Sequence, residues 1–368
     1  MNNMYRNASG AFRVLAILLT AIFVVGCEKE EIKQANQEIY LYQGADRDKR
    51  LVEQAKREGV VNIFVSMQSK DAAAIIKEFE KQYGIKVELW RASPDKIAQR
   101  VSIETKAGRH DVDVLEVNGP EMERIHRDNV LSKFYSPAFA DLPPAAFPKD
   151  KPYVIDRLNF FVMAYNTKLV PPGQVPNSYD DLLHPRWKNK LVIELSDVEW
   201  LASVAKSMGE EKGLAYFKKL AAQKPMMRDG HTLLAEMLAS GEIAIVLTAF
   251  NHSVEKLKRK QAPVDWKPLQ PAFGQGSAIG LARQAPHPHA ALLFADFLLS
   301  KTGQEIIKER GRVPVSLAVD SPLNKFEYQL IDTAVVLDEW DKWQRLWADL
   351  FFDGKAIANR EEKTGSGG

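Results

Sequence analysis

Val60-Val61-Asn62-Ile63-Phe64-Val65, Ile85-Lys86-Val87-Glu88-Leu89-Trp90 and Val112-Asp113-Val114-Leu115-Glu116-Val117 are the stretches on which the fold turns. Each is a short β-rich run, and the first is apolar enough to be a strand buried on both faces. Between the first two, Ala72, Ile75, Ile76, Phe79 and Tyr83 recur at helical spacing, and Gly84 ends that helix. A further helix, from about Pro94 to Ala107, separates the second run from the third. Strand, helix, strand, helix, strand at this spacing predicts parallel strands joined by right-handed crossovers, an α/β architecture. Upstream, Leu51, Val52 and Ala55 mark one face of a leading helix that Gly59 closes.

Downstream the pattern shifts. Residues 132–152 are rich in Pro, Ala and Lys and read as surface loop, and Asn159 to Asn166 is a long β-type run. A second α/β unit opens at Leu191-Val192-Ile193-Glu194-Leu195. Helices follow near 199–207, 211–223 and 232–240, then a strand over 243–248 and a helix over 252–260. Val264 to Leu269 and Ser277 to Ala282 are strand candidates, and helices are expected at 289–300 and 303–310. Trp340, Trp343, Trp347 and Phe351 recur at helical spacing and predict a face docked on the core. The expected body has two lobes: 49–156 plus 263–315, and 157–262 plus 316–355. In open α/β sheets ligands gather at the carboxyl ends of strands, so both lobes aim such ends at one cleft.

The chain has 368 residues, 45% hydrophobic and 27% charged, a globular composition long enough for more than one domain. Fifty Lys and Arg against 48 Asp and Glu leave no field suited to a polyanion, so nucleic acid is not an expected partner. One cysteine excludes a disulfide framework and multi-thiolate metal sites. Its position is informative. Arg6 and Arg13 precede the apolar run Val14 to Val25, which is too short for the roughly 20 residues that span a bilayer. The run ends in Val24-Val25-Gly26-Cys27, followed by the polar Glu28-Lys29-Glu30-Glu31. This resembles the bacterial lipoprotein signal, which implies acylation of Cys27 after removal of what precedes it. Expected from it are a signal segment over 1–27, a polar tether over 28–48, and a body lipid-anchored on the periplasmic side of the cell envelope. The Gly/Ser-rich end, 356–368, is expected to be disordered.

Several motifs in this order resemble the extracytoplasmic solute-binding proteins of ABC importers, in the branch that includes the ferric-ion-binding proteins. They are Ser66-Met67-Gln68-Ser69-Lys70-Asp71, Gly84-Ile85-Lys86-Val87, Asp113-Val114, Tyr165-Asn166-Thr167, Ser178-Tyr179-Asp180-Asp181-Leu182-Leu183, His184-Pro185-Arg186-Trp187-Lys188, Gly241-Glu242 and Pro286-His287-Pro288-His289. The resemblance spans roughly 60 to 320. It implies a type II periplasmic-binding fold, a small-molecule solute held between the lobes, delivery to a membrane permease, a monomer, and no catalysis or cofactor. Ferric members of the branch hold iron with a His in the first strand–helix loop, a Glu after the third strand and paired Tyr after the Gly-Glu strand. The matching positions here are Ser69, Asn118 and Asn251-His252, with Phe250 nearby. A hard cation favours anionic oxygen donors, which these side chains do not supply. A small organic solute is therefore favoured over ferric iron, which stays as the alternative beside a sensing or scaffold lipoprotein of the same fold.

Candidate ligand-binding residues lie after the strands. Gln68 and Ser69 open a helix and read either as a donor-rich lip or, for Ser69, as an N-cap. Arg91 reads as a carboxylate or phosphate clamp or as a partner of Asp95. Asn118 ends the third strand. In the second lobe Glu194 and Asp197 read as polar recognition groups or helix caps, and Trp200 as a stacking face. His231 opens a helix after Arg228-Asp229-Gly230, and Asn251 and His252 follow the Gly-Glu strand. Glu194, Asp197, His231 and His252 also make a conceivable zinc set, but no His-Glu-x-x-His, Gly-x-Ser-x-Gly or P-loop motif accompanies it, and a binding protein is expected in preference to an enzyme.

Overall fold

The computed structural model describes residues 34–352. Cys27, the signal segment, the start of the tether and the tail over 356–368 lie outside them. Residues 34–41 form helix α1, followed by α2 (Arg47–Glu58), β1 (Val60–Val65), α3 (Ser69–Tyr83), β2 (Lys86–Arg91), α4 (Pro94–Lys106), β3 (Val114–Asn118) and α5 (Gly119–Arg127). β1 pairs in parallel with β2 and with β3, as the three opening runs predict. Gly59 and Gly84 end α2 and α3 with φ of 73° and 70°, a left-handed conformation that costs glycine nothing.

After β4 (Leu131–Ser132), the loop over 132–152 carries only short 3₁₀ turns and leads into β5 (Tyr153–Asn166). The second unit is β6 (Leu191–Glu194), α6 (Val198–Ser207), α7 (Glu210–Ala222), β7 (Met226–Arg228), α8 (His231–Ser240), β8 (Ile245–Phe250) and α9 (Asn251–Lys258). Here too the pairs β6–β7 and β6–β8 are parallel. The chain continues through β9 (Val264–Lys267), β10 (Phe273–Ala282), α10 (Pro288–Leu299), α11 (Lys301–Glu309), β11 (Val313–Pro314), β12 (Gln329–Leu330), α12 (Thr333–Asp338) and α13 (Trp340–Phe351).

The two units are fused through two long strands. The sheet runs β2-β1-β3-β10-β5-β8-β6-β7, so antiparallel β10 and β5 stand between the parallel halves. β10 pairs with β3 on one side and β5 pairs with β8 on the other. β9 lies beside the second-lobe half of β5, at Met163 to Asn166, so the chain returns to lobe 1 along β10. Close packing at this junction needs glycine: a Cβ on Gly276 would lie 2.7 Å from Ile155 Cδ1.

Two apolar clusters follow the division. One joins α2, α3 and α10 around Phe79, Phe294 and Phe297, which meet edge to face. The other gathers Trp200, Phe217, Trp343 and Trp347 under lobe 2, so the tryptophan stripe of α13 is a core face. Trp347 Nε1 also donates to Leu195 O at 3.0 Å.

One organisational expectation is corrected. The stretch taken as polar tether over 28–48 includes α1, which packs on lobe 1. Tyr40 is fully buried and its hydroxyl donates to Ala282 O at 3.0 Å. Asn36, one turn earlier, donates to Ala285 O at 3.0 Å. The helix escapes a hydrophobicity reading because half of its buried pair is an amide, satisfied by backbone carbonyls distant in sequence.

Candidate functional site

The carboxyl ends of β1, β3, β6, β7 and β8 converge between the lobes, each followed by a loop or helix start. An interlobe cavity of about 400 Å³ opens past the ends of β1 and β8 and along α8 and α9, within the usual size range for small-molecule sites. Lobe 1 contributes Gln68, Lys70, Asp71 and the segment Glu309 to Arg312. Lobe 2 contributes Thr232, Ala235 and Glu236 from α8, and His252, Ser253, Glu255, Lys256, Leu257, Arg259 and Lys260 from α9 and its end. Lys70, Lys256, Arg259, Lys260, Arg310 and Arg312 face four acids, Asp71, Glu236, Glu255 and Glu309, giving the lining a net positive charge. No tyrosine or cysteine is among these residues.

Asp71 organises the lobe 1 side. It is buried at the first turn of α3, and its two oxygens accept from Arg310 Nε at 3.0 Å and Arg312 Nε at 2.7 Å. The arginines are thereby held by a carboxylate whose charge they offset. Arg312 then donates through a terminal nitrogen to Nε2 of His252. Because guanidinium cannot accept, His252 is neutral with its proton on Nδ1. Burial first, and then the Arg312 charge, hold the His252 pKa well below the ordinary value. Among the described residues its Nδ1 has no hydrogen-bond partner.

Behind the cavity a stack crosses lobe 2. The rings of His252 and Phe250 lie 5.5 Å apart, and those of Phe250 and His231 lie 3.8 Å apart. His231 Nε2 is 3.3 Å from Asp197 Oδ1. Glu194 accepts from Ser196 N at 2.6 Å, Ser196 Oγ at 2.7 Å and Gly230 N at 3.0 Å. Burial pushes the Asp197 carboxyl up to about 6, against the partial relief given by His231. Burial also opposes the imidazolium of His231, but Asp197 and then Glu194 outweigh it and raise its pKa. For Glu194 the same burial is overcome by His231 and the N–H donors of Gly230 and Ser196, which lower it.

A second buried ionic group lies on β3 and β5. Arg157 pairs with Glu116 and, at 3.2 Å, with Asp156, and Glu116 Oε2 also accepts from Met67 N at 3.2 Å. Burial raises the Asp156 carboxyl well above its usual range despite Arg157. On the α6 side, Gln275 Nε2 donates to Glu199 Oε1 at 2.5 Å. Burial, then the charges of Asp197 and Glu121, raise Glu199 well above the ordinary value. Burial and Asp95 lift Glu121 to about 7.

The structure sorts the expected site residues. Gln68 and His252 line the cavity. Glu194, Asp197 and His231 come together behind it. Ser69 is the first helical residue of α3, exposed, with Gln68 at the N-cap position, so its capping role falls away. Arg91 is exposed at the end of the edge strand, reaches Met67 O at 3.4 Å, and is not paired with Asp95, which holds Arg124. Asn118 Oδ1 accepts from Ser277 Oγ at 3.2 Å and so fastens β3 to β10. Two expectations are corrected. Trp200 is 2% exposed and packs edge to face on Phe217 at 5.3 Å, in the lobe 2 core instead of a stacking platform. Asn251 is fully buried, and its amide donates to Leu323 O at 2.8 Å, so it ties α9 to the later chain instead of facing the gap.

Asp71, Arg310 and Arg312 were not singled out from sequence. Their meeting spans 241 positions between Asp71 and Arg312, and only the pair of arginines around Gly311 at a helix end hints at it.

Two α/β halves that share their central strands and close on a polar cavity define a solute-binding protein of the type II periplasmic kind. Residues 74–327 match the family described as bacterial extracellular solute-binding protein, and the chain belongs to that family, which serves ABC importers. It is 26% identical over 286 residues to Iron uptake protein A1 of Synechocystis, covering 72% of this chain and 78% of that protein. It is 24% identical over 296 residues to a putative 2-aminoethylphosphonate-binding periplasmic protein of Salmonella typhimurium, covering 77% and 85%. Among solved structures, IdiA (FutA) of Trichodesmium, in complex with iron and citrate, superposes with a TM-score of 0.68 at 22% identity, over 79% of this chain and 99% of that one. AfuA of Actinobacillus pleuropneumoniae, with fructose-6-phosphate bound, superposes at 0.67 and 22%, over 80% and 99%. Among the described residues no helix is long and apolar enough to cross a membrane.

Proposed function

We propose that the protein captures a small anionic organic solute, one bearing a phosphate, phosphonate or several carboxylates, between its lobes and hands it to an ABC importer permease. The observation that carries this reading is the cationic lining of the interlobe cavity, with Arg310 and Arg312 preset by Asp71. Guanidinium groups held in place bind oxyanions with little further loss of side-chain freedom. The unpartnered Nδ1–H of neutral His252 adds a donor without a second charge. The phosphonate- and sugar-phosphate-related neighbours support the same class of ligand. Binding proceeds without catalysis, by a monomer that needs no cofactor.

Ferric iron as cargo is the second reading, supported by the iron-related neighbours. The cavity lining offers no phenolate, and its net positive charge opposes a bare trivalent cation. A sensing or scaffold role would use the same capture step. A thermal-shift screen over phosphorylated sugars, phosphonates, citrate and Fe³⁺ decides among them. A ligand at 100 times its dissociation constant stabilises by about 2.7 kcal/mol. Stabilisation by oxyanions and not by Fe³⁺ is expected; stabilisation by Fe³⁺ alone would overturn the reading. Attachment to the membrane through acylated Cys27, on the periplasmic side, belongs to the same proposal. Cys27→Ser is expected to release the protein from the membrane fraction, and its retention there would refute lipid anchoring.

A further inference from the structure

The end of α1 and the residue after it carry an apolar pair that lobe 1 leaves uncovered. Leu41 and Tyr42 are 40% and 37% exposed and lie outside the interlobe cavity. Beside them a groove of about 380 Å³ runs between α1, α2 and α10, with Ile39, Leu51 and Leu292 as its apolar floor. Its lining holds Arg47 and Arg50 against one acid, Glu38. The Arg50 guanidinium lies over the Tyr42 ring at 5.1 Å. Two further acids nearby are engaged: Asp46 accepts from the Tyr42 hydroxyl at 2.5 Å, and Asp48 pairs with Arg47 at 3.0 Å. Exposed Lys49 and Arg50 thus stand next to an amphipathic ring and aliphatic carbons, a combination suited to the boundary between lipid headgroups and acyl chains.

The fold sets where this face points. β10 is antiparallel to β3, with Leu281 beside Val114 and Ser277 beside Asn118. Its last residue, Ala282, therefore lies near the amino end of β3, at the pole of lobe 1 opposite the strand ends that meet lobe 2. Tyr40 and Asn36 tie α1 to that pole through Ala282 O and Ala285 O, each at 3.0 Å.

Chain length identifies the occupant. Six residues, 28–33, separate Cys27 from the first described residue, and a backbone of that length reaches at most roughly 25 Å. A lobe of roughly 160 residues is on the order of 40 Å across. A tether that short, even fully extended, cannot pass to the far side of the lobe, so the surface nearest an acylated Cys27 is the one around α1.

We propose that this face of lobe 1 is a membrane-docking surface, with Leu41 and Tyr42 entering the headgroup–acyl boundary of the bilayer and Lys49 and Arg50 meeting lipid phosphates. It rests on the lipid attachment proposed above and adds a contact to it. A lipid anchor alone leaves the body free to turn. A second, weak contact close to the anchor is favoured by the high local concentration of lipid, and it keeps the gap, at the other pole, clear of the bilayer.

The test uses the full, lipid-attached chain in vesicles of phosphatidylethanolamine and phosphatidylglycerol that contain a spin-labelled lipid as quencher. Cys27 is the single cysteine and is blocked by its lipid, so a fluorophore can be attached at Leu41→Cys, at Lys49→Cys and, for reference, at Lys219→Cys, an exposed position on α7 in lobe 2. Quenching is expected to be at least about threefold stronger at positions 41 and 49 than at 219, in variants whose circular dichroism matches the parent. Tyr42→Ser combined with Arg50→Ser should lower the quenching at 41 by about half or more while the protein stays in the membrane pellet. Equal quenching at all positions in pelleted protein would overturn the docking surface and leave the anchor standing, whereas protein found in the supernatant would overturn both. Protection of position 41 from aqueous iodide that appears only in membranes containing the permease would assign the face to that partner and overturn lipid contact. Solute binding in the thermal-shift screen is read separately and is untouched by any of these outcomes.

Discussion

Two regions where the lobes meet are built on opposite electrostatic plans. On the side of α3, α11 and α9, a buried Asp71 gathers two arginines, the free charge is positive, and a cavity remains open. On the side of α5 and α6, Glu121, Asp197 and Glu199 crowd together, and burial raises all three carboxyls. The difference teaches where binding energy is available. Cations stay ionised at any physiological pH and hold their field in readiness, whereas crowded carboxyls relieve their repulsion by keeping protons. A site for an anion can be preset; a nest of acids becomes strongly negative only after it is deprotonated.

That contrast can be broken at four points. The largest effect is expected from Trp200→Ala, which empties a fully packed position beneath the acidic side. Denaturant unfolding should show a loss of about 3–5 kcal/mol. If the variant instead keeps its stability and loses only solute affinity, Trp200 faces the ligand after all. Next is Arg312→Ala, which strips the basic side of a held cation and leaves Asp71 with Arg310 alone. Affinity for the oxyanion found by screening should fall by on the order of 2–3 kcal/mol in calorimetry, and an unchanged value would place the anion elsewhere.

Glu121→Gln probes the acidic side through pH. The folded-state pKa of about 7 lies above the ordinary 4.5, so the folded protein holds this proton longer than the unfolded chain does. The group therefore subtracts stability increasingly as pH rises from 4.5 through 7, and the cost is absent at lower pH. Unfolding curves should show no change from Glu121→Gln near pH 4 and a gain on the order of 2 kcal/mol at pH 8. A gain equal at both values would remove the carboxyl from the explanation. The smallest effect belongs to Lys260→Ala at the exposed rim. Its cost should stay below about 1 kcal/mol of binding and shrink further in high salt; a larger, salt-independent loss would mean that the rim, and not Arg312, holds the ligand.

The fold was largely legible because its evidence is local. The runs at β1, β2 and β3, the helical spacing of Ala72 to Phe79 and the closing glycines each act within one element. The site was legible in part. His252 and Gln68 reach the cavity because they follow strands whose ends must face it. Trp200 and Asn251 also follow strands, yet they turn inward, since an indole and a primary amide gain more from packing and from a buried carbonyl than from water. Asp71, Arg310 and Arg312 are joined only by tertiary folding, and no spacing rule links positions so distant. α1 was missed for a related reason: Asn36 has its partners at Arg283 and Ala285.

The docking of α1 has a mechanical corollary. Tyr40 and Asn36 rivet the chain's entry point to the far end of β10 and the loop after it, on the lobe 1 side. Any pull transmitted through the residues before position 34 is thus borne by lobe 1. If those residues are fastened to a surface, lobe 1 becomes the fixed jaw and lobe 2 the one that swings, which sets the direction from which a guest can enter.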